Sequence, residues 1–315
     1  MSSKKILHIL KSNRDYGGAE LFATSLERYA QSTDINLKTL RLDDGLRNFI
    51  HFISYIIQCD KIIASDYRSI FVAYFLRLFI CKNVTAIVHS NNNWSSKDEK
   101  LRKYLLNGME SVLAVGSRTE AYLSSKGVAV TDVIQPISPL FFEVYSEKTW
   151  NCREFDFAFV GRFEKEKNPL LAVEWVRELA RILRRNSRSV FIGDGSMTAE
   201  VVEAGRVASK SSISFMGALT HKEAMQLLNN TRFLVVTSER EAGISLVSQE
   251  AILNGCKLIS TDAGDLDKLS KNLRRKIGDC DLDFLSQAPK NGQGRDELEA
   301  LGIEPKLVFE KLINA

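Results

Sequence analysis

A chain of 315 residues, 44% hydrophobic and 26% charged, has the length for two domains and the composition of a soluble globular protein, which excludes disordered and collagen-like classes. The formal net charge of +4 falls in residues 1–150, where Lys and Arg exceed Asp and Glu by four. That bias is either incidental or suited to an anionic membrane surface or an acidic acceptor, and no nucleic-acid partner is expected.

Short apolar runs alternate with longer helical patterns from the start. Lys5–Leu10 reads as a strand and Gly18–Gln31 as a helix, then Asn36–Leu42 as a strand and Leu46–Gln58 as a helix. Strands are predicted at Lys61–Ala64, Val84–His89 and Val112–Val115, with helices at Arg68–Ile80, Lys97–Asn107 and Arg118–Ser124 between and after them. The apolar run from Ile70 to Ile80, interrupted by Arg77, reads as a buried helix. Gln135–Pro139 breaks the pattern, and the chain stays irregular to about Arg153, which makes this the linker. The alternation then restarts with strands at Phe155–Val160, Ser189–Ile192, Ile213–Phe215, Phe233–Val236 and Lys257–Ser260. Helices follow Asn168, run near Thr198–Ala208, begin at Lys222 and cover Leu246–Asn254. Lys276–Leu301 lacks apolar periodicity, and Pro305–Ile313 forms a last helix opened by proline. This β-α-β-α order, given twice, predicts two parallel sheets covered on both faces. The five cysteines hold no Cys-x-x-Cys pair, the N-terminal apolar run is too short for a secretory signal, and no apolar stretch reaches about 18 residues. Reduced thiols, a cytoplasmic location and no spanning helix are therefore expected.

Three strand-to-helix junctions carry residues suited to chemistry, because ligands bind beyond the carboxyl ends of parallel strands and helix N-termini favour phosphate. Tyr16-Gly17-Gly18-Ala19-Glu20 follows the first strand; it is either a tight turn or a place where backbone approaches a ligand. It is neither a dinucleotide fingerprint nor a Walker A loop, so no nicotinamide cofactor is expected. In Gly161-Arg162-Phe163-Glu164-Lys165-Glu166-Lys167-Asn168, the cations Arg162 and Lys167 either clamp a diphosphate or belong to a solvated loop. Between Thr237 and Ala251 a polar loop leads into a helix starting near Ser245, which aims N–H groups at an anion, while Glu250 can accept hydrogen bonds from a diol.

Taken together these segments resemble the retaining glycosyltransferases of family 4, which have the GT-B fold, with likeness from the Gly-Gly-Ala-Glu turn to about Gly264. The resemblance implies an α/β chain of two Rossmann-like domains facing an interdomain cleft. Residues 1–145 form the acceptor-side domain, 146–304 the donor-nucleotide domain, and 305–315 a helix packing back on the first. By the same resemblance, Gly17 and Gly18 lie near the donor phosphate, and Gly161, Arg162 and Lys167 belong to the motif that neutralises the leaving diphosphate. Gly193 forms a glycine turn, Met216 and Gly217 bring backbone to the base, Leu246 and Val247 offer N–H groups to phosphate, and Glu250 holds the ribose. His89 matches a histidine beside the donor sugar; as a histidine at a strand end it is also readable as structural. The sequence departs from the family where its Glu-x₇-Glu signature has Ala242, with Glu241 one position early, and where its Asn-Gly near the linker is Ile137-Ser138.

The expected activity is transfer of a hexose-type sugar from a UDP or GDP sugar to a glycan or lipid-linked acceptor, with retention, in bacterial surface polysaccharide or lipopolysaccharide assembly. No Asp-x-Asp element appears where a metal-dependent transferase would carry it, so neither a catalytic metal nor another cofactor is expected. Glu241 and His89 are the candidates for orienting the sugar. A non-catalytic GT-B-shaped binding or scaffolding subunit and a sugar-nucleotide epimerase are the alternatives. Finally, Trp94–Leu106 carries Lys97, Lys100, Arg102 and Lys103 beside Leu101, Tyr104 and Leu105. It is either a core-facing helix with a basic rim or a patch that rests on the inner face of an anionic membrane.

Overall fold

The computed structural model describes residues 4–11, 18–44, 46–80, 83–89, 94–143, 148–207 and 210–315, with the side chains of residues 44, 46–51, 96 and 97 also left outside the description. The chain divides into two compact units, Met1–Phe142 with Gly302–Ala315, and Glu143–Leu301. The division falls between Phe142 and Glu143, and the returning segment begins at Gly302, slightly ahead of the sequence boundaries on both counts.

Unit 1 runs β1 (Lys4–Leu10), α1 (Gly18–Gln31), β2 (Ile35–Arg41), α2 (Leu46–Gln58), β3 (Lys61–Ala64), α3 (Tyr67–Ile80), β4 (Asn83–Val88), α4 (Ser96–Asn107), β5 (Ser111–Val115), α5 (Ser117–Ser125) and β6 (Asp132–Ile134). Its strands are parallel in the order β2-β1-β3-β4-β5-β6. β3 and β5 are buried along their whole length, which is why Ile62–Ala64 and Val112–Val115 read as apolar runs rather than alternating ones. One core cluster joins Ile62, Val84 and Val112 on the sheet to Ile56 of α2, Ile70 and Ala73 of α3, and Leu105 and Leu106 of α4. These helices therefore cover the same face. Ser95 caps α4 by accepting a hydrogen bond from the Asp98 N–H. β6 is absent from the sequence reading because its three residues are too few to show a period.

The returning helix α12 (Pro305–Asn314) packs within unit 1. Its Phe309 is fully buried, with ring centroids 5.6 Å from Phe22 and 5.2 Å from Tyr29. At its C-terminal end the Nζ atoms of Lys4 and Lys61 donate to the Ile313 carbonyl at 2.8 and 3.3 Å. Two cations thus satisfy a carbonyl that the helix itself leaves open. Burial lowers the Lys61 pKa to about 8.

Unit 2 runs β7 (Phe155–Val160), α6 (Pro169–Ile182), β8 (Ser187–Ile192), α7 (Thr198–Arg206), β9 (Ser211–Phe215), α8 (His221–Asn229), β10 (Thr231–Val236), α9 (Leu246–Leu253), β11 (Lys257–Ser260), β12 (Arg274–Arg275), α10 (Leu282–Ser286) and α11 (Gln293–Ala300). The parallel order is β12-β11-β10-β7-β8-β9. Its core is aromatic: Phe157, Phe159, Phe163, Phe191 and Phe233 pack with Trp150 and Phe284. Asn168 caps α6 from a left-handed conformation, followed by Pro169 in the first turn. Thr220 and Glu223 form a reciprocal capping box on α8.

Two sequence expectations are corrected. Lys276–Leu301 contains α10 and α11, which escaped notice because each touches the core through few residues: Phe284 and Leu285 in one, Gly294 and Leu298 in the other. Gly294 sits so close to α9 that a Cβ there would meet Ile252 at 2.5 Å. The Ile70–Ile80 run is not buried throughout. Ser69, Ile70 and Ala73 face the sheet, while Phe71, Phe75, Leu78 and Phe79 are exposed.

Candidate active site

In unit 2 the chain builds β7, β8 and β9 outward on one side and then returns to place β10 on the other side of β7. The loops leaving β7 and β10 therefore diverge at their carboxyl ends, and the crevice between them is where open parallel sheets hold ligands. The two loops are stitched together at that point. Thr237, almost fully buried at the end of β10, donates through its hydroxyl to the carbonyls of Lys167 and Asn168 at 2.9 and 2.8 Å. The Glu239 N–H donates to the Glu166 carbonyl at 2.9 Å.

Across this junction Lys167 Nζ donates to Glu241 Oε1 at 2.6 Å, with the two side chains 24% and 11% exposed. The position of Glu241 is fixed from behind by Gly264, which has a φ of +63°. A Cβ there would lie 2.1 Å from the Gly243 carbonyl and 2.8 Å from Glu241 Cβ, so glycine is required both for the conformation and for the close approach. Arg162 is largely exposed and pairs with Glu166. The structure thus brings Lys167 and Glu241 into contact and leaves the Arg162 head in solvent beside them.

The glycines named from the sequence step across the neighbouring strand ends. The Gly161 N–H donates to the Ile192 carbonyl at 3.0 Å, and the Gly193 N–H to the Gly217 carbonyl at 2.8 Å. Gly193 has a φ of +143°, and a Cβ on it would sit 1.9 Å from the Gly161 carbonyl. Met216 is exposed, and its N–H donates to the Phe191 carbonyl at 3.0 Å. The rim carries two acids, a half-buried Glu164 and an exposed Asp194. Hydrogen bonds from Ser196 hold the Glu164 carboxyl below its usual range, and those from Thr198 and the Gly195 N–H do the same for Asp194.

α9 begins at Leu246, after Ser245 in an extended conformation. The Ser245 hydroxyl shares a 2.7 Å hydrogen bond with that of Ser248 and makes no side-chain cap bond. The Ser245 side chain therefore does not cap the first N–H groups of the helix, those of Leu246 and Val247, which lie at the positive end of its dipole. One turn further along, Glu250 is buried and accepts from His221 Nε2 at 2.8 Å. His221 was not singled out from the sequence. Its signal is its place directly after the Thr220 cap, where it opens α8 and reaches the neighbouring α9.

In unit 1 the corresponding divergence lies between β1 and β3. Gly18 opens α1 there, and Gly17 lies outside the described residues. His89, at the end of β4, lies edge-on to Phe22 at 5.3 Å, and its enclosed Nε2 has no hydrogen-bond partner among the described residues. His8, on β1 and missed by the sequence reading, is fully buried and shares a 2.6 Å hydrogen bond with Ser65. Burial lowers the pKa of His89 to about 4 and that of His8 to about 3, the second with help from His89 and Arg41. Both imidazoles are therefore neutral at neutral pH. Because the folded values lie below the ordinary 6.5, the unfolded chain binds protons first as the solution is acidified. Stability contributed by the neutral rings is whole above pH 6.5 and drains away toward pH 4 and below. Calorimetric melting temperatures should fall across this window, and His8→Gln should flatten the fall; an unchanged slope would contradict the assignment.

Among the described residues no group of three or more His, Cys, Asp or Glu is placed to hold a metal ion.

Residues 154–277, most of unit 2, match the family model described as Glycosyl transferases group 1. No curated protein matches the chain. HepE from Anabaena, solved in complex with UDP-glucose, is 14% identical with a TM-score of 0.72, covering 99% of this chain and 100% of HepE. Sucrose-phosphate synthase from Thermosynechococcus elongatus is 16% identical with a TM-score of 0.73, covering 98% and 97%. TarM from S. aureus, solved with Fondaparinux, alpha-GlcNAc-glycerol and UDP, is 17% identical with a TM-score of 0.59, covering 81% of this chain and 54% of TarM. The fold is thus of the GT-B type, and residues 154–277 are similar to glycosyl transferases group 1.

Proposed function

We propose that this chain is a retaining, metal-independent glycosyltransferase that moves a hexose-type sugar from a nucleotide-diphosphate sugar to a glycan or lipid-linked acceptor. The observation that carries the reading is the Lys167–Glu241 contact joining the loops that leave β7 and β10, the second of which leads into α9. A departing diphosphate needs cations and N–H donors held ready in a partly dry site. Lys167 supplies a point charge, Arg162 a mobile fork, and Leu246 and Val247 backbone donors. Glu241, held beside Lys167, takes the part of the shifted family glutamate and orients the sugar hydroxyls. Glu250, held by His221, takes the ribose diol. Gly193, Met216 and Gly217 form the backbone ledge for the base. Gly17, Gly18 and His89 belong to the sugar side, where a neutral His89 exchanges hydrogen bonds with hydroxyls rather than acting as a cation. The donor nucleotide is assigned as UDP in preference to GDP, supported by the UDP in the HepE and TarM structures. The cellular setting proposed is the cytoplasmic assembly of bacterial surface polysaccharide or lipopolysaccharide.

The test is release of nucleoside diphosphate from a panel of UDP and GDP sugars, with and without glycan acceptors. Acceptor-stimulated release from a UDP sugar is expected, with retained anomeric configuration in the product. Glu250→Ala should raise the donor KM about 10-fold, the loss of one hydrogen-bonded charged group, with little change in melting temperature. Normal constants in that variant, or no release from any donor, would sink the reading.

A further inference from the structure

α3 turns an apolar face outward. Phe71, Phe75, Leu78 and Phe79 recur at the spacing of one helical face, and Phe79 is 83% exposed. Beside them α2 exposes Ile53 and Ile57, and α4 exposes Leu101 and Tyr104. The three helices cover one face of the sheet, and Tyr74 of α3 meets Tyr104 of α4 with ring centroids 5.7 Å apart. Between α3 and α4 lies a groove of about 460 Å³, lined by Tyr74, Lys100, Lys103, Tyr104, Asn107 and Gly108. Contiguous apolar surface of this kind on a soluble unit marks an interaction site.

The charged residues of the three helices are mainly basic. α2 and α3 contain Arg47, Arg68 and Arg77 and no Asp or Glu. On α4, Asp98 is occupied by Ser95, whose hydroxyl donates to it at 2.7 Å, and Glu99 by Lys126 at 3.0 Å. Glu110 lies 3.8 Å from Arg77. Lys100 and Lys103 make no ion pair with a described residue and flank the groove. A second copy brought onto this face would set lysine against lysine. The complement of an apolar face rimmed by free cations is an apolar layer with an anionic surface.

We propose that the outer face of α3, with α2 and α4 beside it, docks unit 1 onto an anionic phospholipid bilayer. Phe75, Leu78 and Phe79 enter the acyl boundary, Tyr74 and Tyr104 lie at headgroup level, and the groove with Lys100 and Lys103 receives a lipid phosphate. This keeps Lys100, Lys103 and Tyr104 of the segment singled out in the sequence and moves the centre of the surface to α3. Arg102 is turned inward, over the Tyr67 and Trp94 rings at 4.4 and 5.8 Å, Leu105 is buried, and the Lys97 side chain lies outside the described residues. Among the described residues no helix is long and apolar enough to cross a membrane, so the contact is one of lying on the surface. Phe79 leads toward β4, at the edge of the sheet opposite the carboxyl ends of the strands, so docking leaves those ends clear.

The proposal stands on unit 1 and is independent of donor chemistry. The whole chain is floated with vesicles of phosphatidylcholine alone and of phosphatidylcholine mixed with phosphatidylglycerol. The wild type should float with the anionic vesicles alone. The double variant Phe75→Ser, Phe79→Ser, altered at exposed positions and checked by circular dichroism, should lose at least ~10-fold in partitioning. Lys100→Gln with Lys103→Gln should also lose ~10-fold at low salt, with the difference shrinking at high salt. A wild type that stays with the solvent overturns the proposal, as does a phenylalanine variant that floats equally well. If sedimentation shows a dimer that the phenylalanine variant dissolves, while vesicles are ignored, the face belongs to a second copy and the proposal also falls. Sugar transfer measured on a soluble acceptor reads the donor site separately, so either idea can fail alone.

Discussion

Replacement of Lys167 by alanine is expected to lower kcat/KM for the nucleotide sugar by on the order of 100-fold or more, the usual effect of removing one preorganised group from the charge that develops on a leaving oxygen. Lys167 is the cation best placed for that role. It is mostly enclosed, its backbone carbonyl is pinned by Thr237, and its Nζ is already directed by Glu241. Arg162 has neither constraint: its side chain is 68% exposed and its partner Glu166 lies on the same loop. An exposed pair of that kind contributes little, so Arg162→Ala should act mainly on donor KM and by a smaller factor. Glu241→Gln separates two roles for the acid. If Glu241 only holds Lys167, the amide should retain most of the turnover, because it can still accept from Nζ. If it orients sugar hydroxyls, turnover should fall while UDP binding stays near normal. Steady-state kinetics on the three variants, with UDP inhibition constants, checks all of this; a Lys167→Ala enzyme of full activity would remove the basis for the assignment.

Replacement of Phe309 by alanine is expected to destabilise unit 1 by about 3–5 kcal/mol, the cost of emptying a fully buried aromatic position. Phe309 has no exposed surface and fills the space between Phe22 and Tyr29 of α1. Its neighbours on α12, Val308 and Leu312, are also buried, so the cavity has little freedom to collapse. Deleting residues 305–315 goes further, because it also removes the Ile313 carbonyl that receives Lys4 and Lys61. Lys61 would then be a buried lysine without its acceptor. Two units need not unfold together, and the effect should appear in the transition assigned to unit 1. Urea unfolding followed separately by a probe in each unit should move the unit 1 midpoint and leave the unit 2 midpoint in place. A Phe309→Ala protein with both midpoints unchanged would contradict the packing described for α12.

The parallel strands were legible because burial on both faces gives short, mainly apolar runs such as Ile62–Ala64 and Phe157–Val160. The start of α6 was legible for a similar reason, since Asn168-Pro169 announces it. The elements that escaped are those whose contact with the core is small, namely β6, β12, α10 and α11. α3 misled in the other direction. Its composition is that of a core helix, but a helix over a sheet buries one stripe, and composition does not say what covers the other side.

At the candidate site, glycines and cations were readable as a motif because close backbone approach and charge each restrict residue type. Which cation is held and which is loose was not readable. That depends on Thr237 and Gly264, distant in sequence from Lys167 and brought beside it by the order of β7, β10 and β11. The one-position shift of Glu241 illustrates the same point. Spacing counts residues along the chain, whereas the loop is positioned by what presses on it, and Gly264 lets it press close enough for Glu241 to reach Lys167. His221 escaped because its partner Glu250 lies on another helix.

The proposed function requires unit 2 to hold a nucleoside diphosphate between the β7 and β10 loops. Titration calorimetry of the whole chain with UDP, compared with Lys167→Ala and Glu250→Ala, measures that binding. One site is expected in the wild type, with affinity reduced by at least ~10-fold in each variant, since each removes a hydrogen bond to a charged group. Absence of heat with UDP and with GDP in the wild type, or equal affinity in all three proteins, would contradict it.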